Sequence, residues 1–397
     1  MADKVRKSQY ADLGVDAMKG SVRKVFGSLV DNDFPGAFVN IVRDPDRPGE
    51  VFTGHMDGDG SKFIQRVLMF RELGDPAIFR GAADDALSMN TGDIAAAGFV
   101  HGLMTMTDIL NVNGFNVPKQ IIMEQIGDRL AELREMYRDQ DFKLYFLGGE
   151  TADLPHQVQT AAFDVNVHAR ALEADLILGN VREGDRIWGF VSDGQASWED
   201  EPNSGIMSNG LTLARMVTMD ASYTKKHPDL VKQGGAYTGE FLVDSRPVDL
   251  GGMTVGEALV SPTRQWAILI KLLLGLLKEK DSLHLLHGIT MNTGGGATKV
   301  LHLGNGGIIY RKRMPNPPGL FHLIQRVSGE SWQNMYQNFN CGIGIGIDIV
   351  GDERLGEFLE WVIATTCLSM YELGECYSWG GKENKVELET PFGVFNY

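Results

Sequence analysis

The chain has 397 residues, 43% hydrophobic and 22% charged, ordinary proportions for a globular protein with room for a sizeable core and two or three domains. Its 37 basic and 52 acidic residues leave a net charge of −15, so no basic stripe exists to grip nucleic acid or an anionic membrane, and neither is expected as a partner. Three cysteines without a C-x-x-C pair, a polar start over residues 1–7 with no signal peptide, and an apolar maximum (266–277) that is too short to span a bilayer and is broken by Lys271 point to a reduced, cytoplasmic setting.

In chain order, residues 51–56 read as a strand running into Asp57-Gly58-Asp59-Gly60-Ser61-Lys62, and 63–72 as the helix leaving it. Residues 84–99 read as a helix with Asp84 and Asp85 near its positive N-terminal end and Asp93 in its middle. A strand (102–107) and a long helix (118–138, opened by Pro118) follow. The apolar run 144–147 predicts a buried strand delivering Gly148-Gly149-Glu150-Thr151-Ala152-Asp153 to a loop. Residues 161–167 alternate apolar and polar with period two, a half-buried strand whose second face is wet or covered by a partner.

The pattern then restarts, with Gly184-Asp185 leading into a strand over 187–191. We therefore divide the chain into domains 1–170 and 171–397. Helices are predicted over 206–217, 258–280 and 352–370, an acidic loop over 195–202 and a glycine-rich stretch over 233–239. In the strand 342–350 isoleucines share one face and glycines the other, which lets another element pack very close.

Glycines admit a phosphate to the backbone, lysine neutralises it, and separated carboxylates hold magnesium through oxygen. The three acid-and-glycine clusters, around Asp57, Asp93 and Glu150, together read as a magnesium-nucleotide site, although neither of the two commonest phosphate-loop patterns is present. Taken singly, each also fits a plainer role: an Asp-Gly turn, an exposed helical acid, a tight turn after a strand. Ser208-Asn209-Gly210 and Thr293-Gly294-Gly295-Gly296 each fit both a helix start that takes an anion and ordinary capping.

Read in order, these pieces resemble the aminoimidazole ribonucleotide synthetase family, also called phosphoribosylformylglycinamidine cyclo-ligase. The start Tyr10-Ala-Asp-Leu-Gly-Val-Asp16 resembles the family's opening, and Asp57-Gly-Asp-Gly-Ser-Lys62 its Asp-Gly-Val-Gly-Thr-Lys. Residues 85–93 resemble its Asp-x-Val-Ala-Met-x-x-Asn-Asp helix, and Gly148-Gly-Glu-Thr-Ala152 matches verbatim. Ser208-Asn209-Gly210 with Arg215, Pro262-Thr263-Arg264, Thr293-Gly-Gly-Gly296, Met335-Tyr336 and Phe339-Asn340-Cys341-Gly342-Ile343-Gly344 follow collinearly. The chain departs from the family at Ala11 (usually Lys), Asp59 (Val) and Met207 (His). It also carries the inserted acidic loop and lacks the Glu-Asn-Ile-Pro-Arg signature after Gly296.

The resemblance implies an α+β, two-domain protein: an N-terminal domain whose mixed or antiparallel sheet forms a dimer barrel and carries ATP and Mg2+, and a C-terminal α/β domain closing the cleft. It implies ATP-dependent closure of the imidazole ring of formylglycinamidine ribonucleotide by a cytoplasmic homodimer. The alternative is an ATP-dependent phosphotransferase of the same superfamily acting on a different small acceptor. In the site so implied, Lys62 and Asp93 are catalytic, and Asp57, Asp93 and Glu150 hold the metal. Asp57, Lys62, Asp85, Gly148, Gly149, Glu150 and Thr151 cradle the nucleotide, with Asp85 orienting the ribose or the helix start. Ser208, Asn209, Gly210 and Arg215 face the substrate.

Overall fold

The first five strands of the chain build one sheet. They are β1 (Val42–Arg43), β2 (Glu50–Gly58), β3 (Leu103–Val112), β4 (Lys143–Asp153) and β5 (Ala161–Leu172), in the order β1-β2-β5-β3-β4. Only β3 and β4 run parallel, because the helix Lys119–Asp139 crosses over between them. The computed structural model describes residues 8–15, 25–232, 234–339 and 344–397. Asp16, Gln233 and the motif residues Asn340, Cys341, Gly342 and Ile343 lie outside them.

Period-two patterning sets the two faces of this sheet. Val51, Met104, Met106, Phe163, Val165 and Val167 point inward and are buried. They are covered by helix α2 (Gly81–Ala96), which follows helix α1 (Lys62–Leu73) and is buried at every position from Ala82 to Ala96. On the outer face Phe52, Met56, Leu103, Tyr145 and Leu172 are exposed.

The second sheet takes its strands from the rest of the chain: β6 (Arg186–Val191), β9 (Leu286–Met291), β10 (Ile308–Arg313), β11 (Ile345–Gly351), β12 (Met370–Ser378), β13 (Lys385–Thr390) and β14 (Gly393–Asn396). Its order is β14-β13-β10-β12-β6-β11-β9, and a two-stranded ribbon, β7 (Asp193–Gly194) with β8 (Asn203–Ser204), brackets the acidic loop. Helix α2 lies between the two sheets. At Gly92 a Cβ would overlap Met291 at the end of β9, so glycine is what allows the helix to reach the second sheet. Gly346 likewise lies against the Trp266 indole, the close approach expected of the glycine-lined strand. This is a mixed α+β architecture with two sheets.

Several expected elements need correction. The third cluster is not on a loop after a buried strand. Gly148, Gly149, Glu150 and Thr151 lie inside β4, an edge strand whose Tyr145, Phe146 and Leu147 are exposed. The apolar run reads as buried because patterning does not distinguish the core from an exposed apolar face. The helix expected over 258–280 is two, Val255–Val260 and Trp266–Glu279, split where Pro262 cannot donate and Thr263 and Arg264 turn inward. The helix expected from residue 206 starts only at Leu211, after Gly210 at φ +86°. Asp93 sits in the last turn of α2, not its middle.

Candidate active site

At the N-terminal end of α2 a buried charge network ties both halves of the chain together. The turn at Gly60 (φ +59°) sends the chain from β2 into α1, whose first residue is Lys62. Its ammonium donates to Asp85 Oδ1 at 2.9 Å and to the Ser261 carbonyl. The same Asp85 oxygen accepts the Thr263 N–H at 2.7 Å and the Thr263 hydroxyl at 2.6 Å. Asp85 Oδ2 takes a donor from Arg66, one helical turn beyond Lys62 on α1. Burial alone would push the Asp85 carboxyl up, but Lys62 and Arg66 outweigh it and hold it below the usual range. Burial pulls the Lys62 ammonium down, and Asp85 restores only part of that. Lys62 is thus placed in this network with no exposed surface.

Asp59 lies beside it, also fully buried, with neither carboxylate oxygen hydrogen-bonded. Arg66 Nε, itself without a partner, stands 3.8 Å from Asp59 Oδ2. Burial raises this carboxyl well above its ordinary value, and Arg66 offsets only part of the rise.

From Thr263 the chain of contacts continues to the turns expected on the substrate side. Thr263 Oγ1 lies 3.2 Å from Ser208 Oγ, and Thr212 of helix Leu211–Thr218 donates to Ser61 Oγ at 2.9 Å. The Gly210 N–H donates to the Tyr10 hydroxyl oxygen at 3.2 Å. Asn209 Nδ2 is 2.6 Å from where a Cβ on Gly294 would stand, so the Ser208–Gly210 and Thr293–Gly296 turns pack together. Arg215 does not join them. It is 5% exposed, donates to the Leu230 carbonyl and the Tyr237 hydroxyl (3.0 Å each), and has its pKa lowered by burial.

A second polar group gathers at the C-terminal end of α2. On β2, Val51, Thr53, His55 and Asp57 alternate onto the inner face. His55 Nδ1 lies 3.0 Å from Asn90 Oδ1, and its Nε2 lies 3.3 Å from Asp93 Oδ2. Asn90 Nδ2 donates to the Asp57 carbonyl at 3.0 Å. Burial pulls the His55 pKa down, but the bond and charge of Asp93, together with Asn90 and Asp57, outweigh it and the ring is easier to protonate than a free histidine. Asp93 is 6% exposed, and its Oδ1 has no hydrogen-bond partner.

Glu150 does not join Asp57 and Asp93 within one chain. The register Gly58–Asp164–Ile109–Glu150 sets it three strand spacings, about 14 Å, from Gly58, and it faces the other side of the sheet. Among the described residues no three His, Cys, Asp or Glu side chains are gathered as a metal site. The Asp57–Asp93 end does suit a hard cation, since it offers carboxylate oxygen with one buried oxygen left without a partner. His55 and Arg66 were not singled out in the sequence. Strand alternation two residues before Asp57 and helical spacing four residues after Lys62 were the signals that could have found them.

A cleft of about 590 Å³ opens beside the first network, lined by Arg66, Asp84, Arg129, Trp198, Thr263 and Arg264 among others. The acidic loop folds onto its wall. Glu199 accepts from Arg264 Nε at 2.8 Å and Nη2 at 2.9 Å, which ties the loop down by a bidentate pair.

No family model matches the sequence. Over 327 residues the chain is 32% identical to the phosphoribosylformylglycinamidine cyclo-ligase of Symbiobacterium thermophilum, covering 80% of this chain and 78% of that protein. It is 30% identical over 305 residues to the protein of the same name from Methanocaldococcus jannaschii, covering 77% and 72%. Its fold is similar to that of a solved ThiL protein in complex with AMPPCP and TMP, with a TM-score of 0.54 over 93% of both chains at 13% identity. At this level of identity and coverage, with the motifs of both halves assembled around one helix, the chain belongs to the phosphoribosylformylglycinamidine cyclo-ligase family.

Proposed function

We propose that this chain is an ATP-dependent cyclo-ligase converting formylglycinamidine ribonucleotide to aminoimidazole ribonucleotide, ADP and phosphate. The observation that supports the reading is the buried path Lys62–Asp85–Thr263–Ser208, which links the motifs read as nucleotide-side to those read as substrate-side in a member of this family. The substrate amide oxygen attacks the γ-phosphorus, an O–P bond forms, and the bond to ADP breaks. The amidine nitrogen then attacks the activated carbon, the C–O bond breaks, phosphate departs, and a nitrogen proton is lost. Such a reaction asks the protein chiefly to align two reactants and balance moving charge.

In this reading Asp57 and Asp93 would hold Mg2+, which when bound neutralises phosphate charge. Gly148, Gly149, Glu150 and Thr151 serve the nucleotide from the edge strand. Lys62 meets a phosphate only if its pair with Asp85 opens, and the Asp85 carboxylate keeps the lysine in place until then. We divide the work between domains 1–170 and 171–397. A C2 homodimer covers the outer face that exposes Phe52, Met56, Leu103, Tyr145 and Leu172. Arg215, spent inside the protein, is the observation that favours the phosphotransferase on another acceptor.

Purified protein should form the imidazole product from formylglycinamidine ribonucleotide and ATP, and the gene should restore growth of a purine-requiring host lacking this step. Robust ATP use with another acceptor and none with this one moves the assignment to the phosphotransferase. Light scattering near 43.7 kDa at micromolar concentration removes the dimer.

A further inference from the structure

A ribonucleotide substrate brings a phosphate dianion to a protein of net charge −15, so a local cation must receive it. The cations closest in sequence to the motifs are already engaged. Lys62 and Arg66 are buried on Asp85, Arg264 is buried on Glu199, and Arg215 is buried on Leu230 and Tyr237. The histidine that the family places before its Ser-Asn-Gly turn is Met207 here, and it is buried.

Lys299 is different. It is half-buried, and no carboxylate among the described residues pairs with it. Its ammonium lies 5.5 Å above the Phe38 ring, an apolar stage that holds a cation without neutralising it. Its stem runs along the glycine turn: Cα and Cδ are both 3.9 Å from where a Cβ on Gly295 would stand. Gly295 and Gly296 adopt φ of +104° and +51°, a path that places the backbone close beneath the lysine and that side chains resist. The far side of this turn meets Asn209. The segment carrying Lys299 is itself fixed, because buried Lys312 donates to the Ala297 carbonyl at 2.7 Å and Thr298 to the Gly295 carbonyl at 2.8 Å. Two residues before Thr293, Met291 packs on Gly92, next to Asp93.

We propose that Lys299 is the cation that receives the 5′-phosphate of the substrate, above the Thr293–Gly296 turn. The proposal rests on the cyclo-ligase reading for the identity of the phosphate's owner, and it assigns a substrate-binding role to a residue of the segment where the family's Glu-Asn-Ile-Pro-Arg signature is missing. An ammonium–phosphate contact of this kind contributes roughly 10- to 100-fold in affinity.

The test uses the full chain with Lys299→Met and Lys299→Arg. For Lys299→Met, KM for formylglycinamidine ribonucleotide should rise ~10- to 100-fold, while kcat, KM for ATP and the melting temperature stay near wild type. Its preference for the ribonucleotide over the dephosphorylated riboside should collapse, and Lys299→Arg should recover most of both. An unchanged KM and an unchanged ribonucleotide preference in Lys299→Met would overturn the assignment. Calorimetric titration with ribose 5-phosphate decides the point even if the wild type turns over a different acceptor. Binding that is lost in Lys299→Met upholds the phosphate seat while the cyclo-ligase reading fails, and equal binding in both proteins sinks it.

Discussion

The two ends of helix α2 carry the same residue type under opposite conditions. Near its start, Asp85 receives four donors from Lys62, Arg66 and Thr263 and has no exposure. In its last turn, Asp93 has His55 at one oxygen and nothing at the other. It also sits where the helix already presents negative charge, an unfavourable place by about 0.3–1 kcal/mol. A carboxylate whose partners are all supplied by the protein holds structure. The one left short of partners, buried, and against the helix dipole is the carboxylate we propose for the metal. The sequence marks both aspartates, but only the structure separates their roles.

Removing the saturated carboxylate breaks the comparison most severely. Asp85→Ala leaves Lys62 and Arg66 buried without their counter-charge and should cost roughly 3–5 kcal/mol in denaturant unfolding. A cost below about 1 kcal/mol would mean that the network relaxes into solvent and is not structural.

Asp93→Asn asks the reverse question. It keeps size and hydrogen bonding to His55 but removes charge from a carboxylate with one oxygen unpartnered, so the melting temperature should stay nearly unchanged. Magnesium-dependent ATP turnover should fall by about 10²–10³-fold, the scale for losing one electrostatic stabiliser. Wild-type turnover in this variant reduces Asp93 to a helical acid of no catalytic consequence.

Which parts were legible follows from what local pattern encodes. The alternation 161–167 reports a strand that forms as Ala161–Leu172, because period two depends only on which side of the strand is buried, and of the stretch 342–350 the described part forms a strand from Ile345, buried on both faces. The motif order was legible too, since collinearity survives divergence. What was not legible needed the third dimension. That Arg215 turns inward to Tyr237, that Lys62 is sealed by Asp85, and that Glu150 stands three strands from Asp57 all depend on contacts between residues tens to hundreds apart in sequence. The edge strand β4 misled for a related reason: a face that exposes Tyr145 and Leu147 carries the same residues as a core.

Asp59 sharpens the comparison by combining the two conditions, since it is as buried as Asp85 and shorter of partners than Asp93. The resembling family has valine there. A buried carboxyl without hydrogen bonds costs about 1–3 kcal/mol, so Asp59→Val should raise stability at pH 7 by roughly 1–2 kcal/mol. A fall in the unfolding midpoint would show that Arg66 depends on Asp59 despite the 3.8 Å gap.

The smallest effect extends the question to a cation. Lys271 interrupts the apolar run of helix Trp266–Glu279, and its ammonium lies 4.4 Å over the Phe142 ring. Burial lowers its pKa from 10.5 to about 8, Asp141 restores part of the loss, and Lys143 adds to it. The folded state therefore prefers the neutral amine. Below pH 8 the lysine is charged in both states and its cost to folding is constant. Between about pH 8 and 10.5 the unfolded chain holds the proton that the folded chain has released, so stability attributable to Lys271 rises with pH. Half-burial and solvent screening limit the whole effect to about 1 kcal/mol. Lys271→Met should thus be more stable than wild type at pH 7, and its advantage should shrink at pH 9.5, because only the wild type gains from the deprotonation. Subtracting the two proteins' unfolding free energies at each pH cancels every other titrating group that the substitution leaves untouched. A difference that stays the same at both pH values would mean that the ring and Asp141 already compensate the charge, making Lys271 the cationic counterpart of Asp85.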